Sequence, residues 1–111
     1  MKHELREESE FHVLVLSGEI DLHHSSDLRD LILSSLKDGN PLLIGMQQVS
    51  YIDSSGIASL VEGFQTAKRT NLDYGLLSIS EAVLQVLAIT RLDGIFPLYD
   101  SEEIFLQSFT R

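Results

Sequence analysis

Along the chain, short apolar runs alternate with stripes of apolar residues at helical spacing. The stretch FHVLVLSGEID carries a valine-rich run from Phe11 to Leu16. It is too short for a helix, reads as a strand, and is expected to halt at Ser17-Gly18. The charged segment from His3 to Glu8 suits a short edge strand, where charge discourages unwanted pairing. Next, HHSSDLRDLILSSLKDGNP places Leu28, Leu31, Ile32 and Leu36 on one helical face. Ser25 or Ser26 is expected to cap that helix. Asp27 and Lys37 suit the two ends of its dipole, and Gly39 and Pro41 stop it.

The run LLIGM reads as a buried strand and continues through QQVSYID. A second helix follows in SSGIASLVEGFQTAKRT, with Ile57, Leu60, Val61 and Phe64 as its stripe and Lys68 and Arg69 at its end. YGLLSIS is a further strand. SEAVLQVLAITRLDG is a third helix, with Ser80 as cap and Val83, Val86 and Leu87 facing inward. IFPLY is a poor strand, which Pro97 confines to an edge. DSEEIFLQSFT starts a last helix, where Asp100 and Glu103 have capping-box spacing.

The order β-β-α-β-α-β-α-β-α predicts an α/β fold, with a mainly parallel sheet covered by helices. An antiparallel first pair would make the sheet mixed. With 111 residues the chain suffices for one domain, residues 1–111, and one core.

Composition narrows the function. A formal charge of −9, from 8 basic and 17 acidic residues, argues against a nucleic-acid partner, whose phosphates need clustered Lys and Arg. It argues equally against direct binding to an anionic membrane surface. No apolar stretch reaches the length of a membrane span or resembles a secretory h-region. The expectation is a cytoplasmic protein. The absence of cysteine removes disulfides, thiolate metal sites and a cysteine nucleophile.

No catalytic constellation can be assembled. Phosphate-binding and dinucleotide glycine loops are missing, as is the hydrolase G-x-S-x-G elbow. His23 and His24 are adjacent, so they diverge on any regular element, and no acidic ligand stands at a metal-like spacing. The histidine pair reads as part of a polar loop before a helix, not as a metal site.

One stretch remains, YIDSSGIASL from residue 51. It sets Asp53, Ser54 and Ser55 where a strand-like run meets a helix. Aspartate and serine are favoured N-caps, because their oxygens accept from the unpaired N–H groups of the first turn. One such residue would be enough. A hydroxyl beside those donors, at the positive end of the dipole, also suits phosphorylation without unfolding the helix. Gly56 would let another backbone come close, and Ala58 keeps the surface beyond the hydroxyls flat for a second protein, with Glu62 further along.

Three stretches in order, LSGEIDLHHSSDLRDL, VSYIDSSGIASL and LDGIFPLYDSEEI, resemble the STAS domain over nearly the whole chain. That family joins sulfate transporters and anti-sigma factor antagonists. The resemblance implies a regulated binding module, an anti-sigma factor antagonist that works by partner switching. It makes Ser54 the phosphoacceptor, with Asp53 before it, Ser55 and Gly56 after it, and Asp21 in the neighbouring loop. Together with Ala58 these residues form the expected contact surface. The implied partner is an anti-sigma factor that is also a serine kinase, and there is room for a serine phosphatase. The family also contains accessory subunits of lipid or anion ABC transport complexes, which gives an alternative reading. A hydrolase using Ser54 or Ser55 as nucleophile is a third. It is disfavoured by the lack of a nearby histidine and by an aspartate too acidic to serve as base.

Overall fold

A computed structural model describes residues 1–109. Four apolar runs and the charged amino-terminal segment form one five-stranded sheet, with strands side by side in chain order. They are β1 (Lys2–Glu7), β2 (His12–Ile20), β3 (Leu42–Ile52), β4 (Tyr74–Leu77) and β5 (Leu98–Tyr99). β1 is antiparallel to β2, and every later neighbour is parallel. The helices are α1 (Ser25–Lys37), α2 (Ser54–Arg69), α3 (Glu81–Ile89) and α4 (Glu102–Gln107). This is the mixed, mainly parallel α/β architecture that the alternation of patterns predicts.

The stripes explain the layers. Leu28, Ile32 and Leu36 of α1, Ile57 and Leu60 of α2, and Val83 and Leu87 of α3 are all buried in one core against Leu14, Leu16, Ile44 and Met46 of the sheet. The opposite face carries a smaller aromatic cluster. There Phe105 of α4 stands edge-on to Phe11 at 5.4 Å and to Tyr99 at 5.0 Å.

Four boundaries differ from the expectation. β2 does not halt at Ser17-Gly18: Gly18 takes a φ of +83°, and the ladder to β3 shifts register on both sides of it and resumes as far as Ile20. A glycine in that conformation makes an irregularity rather than a stop. Neither Ser25 nor Ser26 caps α1. Its cap residue is His24, which makes no side-chain capping bond, and the Ser25 hydroxyl donates instead to the Leu22 carbonyl at 3.4 Å. α4 is capped by Ser101, whose hydroxyl accepts from the Ile104 N–H at 3.2 Å, so the Asp100–Glu103 box does not form. α3 ends at Ile89, well short of Gly94. The expected last helix extended to Thr110, which lies outside the described residues, as does Arg111. Ser80 does cap α3, accepting from the Val83 N–H at 3.3 Å, and Pro97 adjoins the edge strand β5.

Candidate functional site

The carboxyl ends of β2 and β3 lead into the starts of α1 and α2, and the backbone stitches the two connections together. The Asp53 N–H donates to the Ile20 carbonyl at 3.2 Å. Asp53 is the cap of α2, in extended conformation, and one carboxylate oxygen gathers most of the free donors. It accepts from the Ser55 N–H at 3.0 Å, the Gly56 N–H at 3.2 Å and the Ser55 hydroxyl at 2.6 Å. The Asp53 backbone carbonyl takes the Ile57 N–H at 3.0 Å. Of the first four amides of the helix, that of Ser54 has no partner among the described residues.

This arrangement sets the electrostatics. The Ser55 hydroxyl, then the Gly56, Ser55 and Leu22 N–H groups, hold the Asp53 carboxyl below the usual carboxylate range, outweighing its partial desolvation. A carboxylate so stabilised as the anion is a weaker base than an ordinary one. No histidine hydrogen-bonds to Ser54 or Ser55 among the described residues, so the hydrolase reading gains nothing from the geometry.

The two serines therefore differ. Ser55 is half-buried and tied to Asp53. Ser54 is exposed, and among the described residues no hydrogen bond engages its hydroxyl. Ala58 lies one turn on from Ser54 and is exposed, so the two share a helix face. One turn further, Glu62 meets Arg29 of α1, whose Nε lies 2.9 Å from each carboxylate oxygen. That bidentate pair bridges α1 and α2 at their outer face, and as an exposed pair it adds little stability. Asp21 sits in the β2–α1 loop, where its carboxylate accepts from the His23 N–H at 2.9 Å and lies 2.8 Å from His24 Nδ1.

The structure thus brings Asp21, Asp53, Ser54, Ser55 and Ala58 to one end of the sheet. Gly56 is the exception, because it is buried and does not line that surface. A Cβ built on it would lie 2.7 Å from Ile52 Cγ1 and 2.8 Å from Ile20 Cγ2. The glycine allows the close seating of α2 on the sheet.

Two residues escaped the sequence reading. Leu22 is 74% exposed in the loop beside Asp53; its signal is an isolated apolar residue in the polar run DLHHSSD. Ser59 is buried, and its hydroxyl reaches the Ser25 carbonyl at 2.8 Å and the Ser55 carbonyl at 3.3 Å, tying the two helix starts together. Its signal is a small polar residue on the inner face, four positions after Ser55. Among the described residues no three His, Asp or Glu side chains converge as a metal site, and no helix is long and apolar enough to cross a membrane.

Comparison with known proteins follows the same lines. The family described as STAS domain matches residues 2–104. An anti-sigma-B factor antagonist of Bacillus subtilis is 30% identical over 88 residues, covering 79% of this chain and 81% of its own. Among solved structures, an anti-sigma factor antagonist from Mycobacterium paratuberculosis superposes with a TM-score of 0.81 at 24% identity, covering 96% of this chain and 92% of that one. The anti-sigma factor antagonist SpoIIAA is similar in both its forms. Its unphosphorylated structure gives a TM-score of 0.81 over 97% of this chain and 96% of its own. The phosphorylated Bacillus structure gives 0.75 over 98% and 100%, and both are 21% identical.

Proposed function

This chain belongs to the STAS-domain family, and from that premise we propose that it is an anti-sigma factor antagonist switched by phosphorylation of Ser54. The observation that carries the reading is the division of labour at the mouth of α2. Asp53 does the capping, which leaves the Ser54 hydroxyl exposed and without a hydrogen bond on a helix start held in place by its own backbone. A kinase needs an accessible hydroxyl on a chain it can hold, and a partner needs a surface that does not change shape when the mark is added.

In this reading the unphosphorylated end of the sheet, with Asp21, Asp53, Ser54, Ser55, Ala58 and Leu22, binds an anti-sigma factor that is itself a serine kinase and so frees a sigma factor. A phosphoryl group brings about −1.5 to −2 charges into the middle of that contact and ejects the partner. The nucleotide belongs to the kinase, so the chain works as a binding module without a cofactor. A serine phosphatase would return it to the binding form, and the whole cycle would run in the cytoplasm. The similarity to SpoIIAA, solved in a phosphorylated form, supports the same reading.

The test is to incubate the chain with the kinase and ATP and to map the phosphate by peptide mass spectrometry. One phosphate on Ser54 is expected. A phosphate on Ser55, or on the Ser25-Ser26 pair, would falsify the assignment. If no kinase modifies the chain and its isolated partners are permease and ATPase subunits, it is an accessory subunit of a transport complex.

A further inference from the structure

We propose that β1 is a dimerisation edge, on which a second copy of this chain adds its own β1 antiparallel, about a two-fold axis through Leu5. β1 is the outermost strand, and among the described residues nothing pairs with its far side. Leu5 opposes Leu14, and His3 opposes Leu16, both core residues. Leu5 therefore points to the face that α1 and α2 cover, yet it stays 40% exposed because no strand lies beyond it. The core is unfinished at this edge.

Charge identifies the occupant. Charged side chains on an edge ordinarily keep sheets apart. Here their order is self-complementary. With Leu5 opposite Leu5 of the second copy, Glu4 faces Arg6 of that copy and Arg6 faces its Glu4. Further out, His3 faces Glu7, a hydrogen-bonding rather than a like-charge pair. Opposite charges directly across a pair of strands stabilise it, and like charges destabilise it. The other arrangements fail by the same rule. Parallel pairing in register sets every charge against its own kind, and a shift by one residue sets Leu5 against Glu4.

Arg6 can serve both copies. Its Nη1 donates to Glu8 at 2.9 Å and its Nη2 meets Glu102, and a guanidinium has five N–H donors. The partner surface near Ser54 stays free in this arrangement. Because the strands run antiparallel across the axis, the two α2 mouths point away from each other at opposite ends of the joined sheet.

Analytical ultracentrifugation of the full chain tests this, at an ionic strength of about 0.15 M so that the net negative charges are screened. The wild type is expected to rise from 12.4 kDa towards twice that mass with concentration. Glu4→Arg places two like-charge pairs in each dimer and is expected to weaken association about tenfold or more. The double swap Glu4→Arg with Arg6→Glu re-creates both pairs in reverse and is expected to restore it. Circular dichroism establishes that each variant is folded, and Glu4→Gln replaces any that is not. A wild type that stays at 12.4 kDa up to millimolar concentration overturns the proposal. So does a dimer indifferent to Glu4→Arg, or one lost in the single variant and not recovered in the double.

Discussion

Two serine pairs begin two adjacent helices, Ser25-Ser26 at α1 and Ser54-Ser55 at α2. They look alike in sequence and differ in what precedes them. Before α2 stands Asp53, whose carboxylate caps the helix through Ser55 and Gly56. Before α1 stands His24, with no side-chain capping bond, while Asp21 spends its carboxylate on the loop at His23 and His24. At α1 the first serine bonds back into its own turn through Leu22. At α2 the hydroxyl of the first serine has no hydrogen-bond partner among the described residues and faces solvent. Each pair thus holds one bonded and one exposed hydroxyl, and what differs is which serine is free: the second at α1, the first at α2, where Asp53 engages Ser55.

The largest expected contrast is in binding. Ser54→Asp should lose on the order of a hundredfold in affinity for the partner, since a charge buried in a close contact can cost several kcal/mol. Ser54→Ala should stay within a few fold of wild type, because Asp53, not Ser54, holds the cap. Ser26→Asp, the same change at the other pair, should also stay within a few fold. Isothermal calorimetry against the purified partner measures all three. If Ser26→Asp is as damaging as Ser54→Asp, the two helix starts are equivalent and the comparison collapses.

The next effect is on stability and belongs to packing. Gly56→Ala forces a methyl against Ile20 and Ile52 and should cost about 1–3 kcal/mol. Chemical denaturation of this variant beside Ser26→Ala, which lies on an exposed part of α1, measures the difference. Equal midpoints would mean that α2 is seated more loosely than the contacts indicate.

The smallest effect is the cap itself. Asp53→Ala should lower Tm by a few degrees, and His24→Ala should change it less. Asp53→Asn separates charge from capping, because asparagine also caps well. The Asp53 carboxyl is depressed in the folded chain. Its contribution is therefore complete above the unfolded value of about 3.9 and is lost as pH falls through the lower folded value. The asparagine variant should lack that acid-side loss. Thermal melts from neutral pH into the acid range compare the two proteins, and identical pH profiles would show that the anion is not what the helix start prefers.

The same contrast explains what could be read in the sequence. The stripes of α1, α2 and α3 were legible because burial repeats with the helical period, and Asp53 was legible as a cap because capping is local. The failures are tertiary. Gly56 looked like a surface opening; only the approach of Ile20 and Ile52, from two separate strands, shows it to be an inward-facing gap. Ser25 and Ser26 have good capping chemistry, but the path of the chain out of β2 through Asp21 and Leu22 brings His24 to the cap position. In sequence Ser17-Gly18 reads as a stop, and a shift of register against β3 makes Gly18 an irregularity inside a longer strand.

The crowding of donors around Asp53 has a further consequence, for time rather than for structure. Its carboxylate already holds two of the amides at the mouth of α2, and its own carbonyl a third. A phosphoryl group on Ser54 would find only the Ser54 amide unclaimed, with an anion beside it. Among the described residues of the helix start, no further amide would be free to hold the ester. The lifetime of the mark would then be set almost wholly by the enzymes that write and erase it, and the chain itself would keep a record that can be cleared as quickly as the cell supplies a hand to clear it.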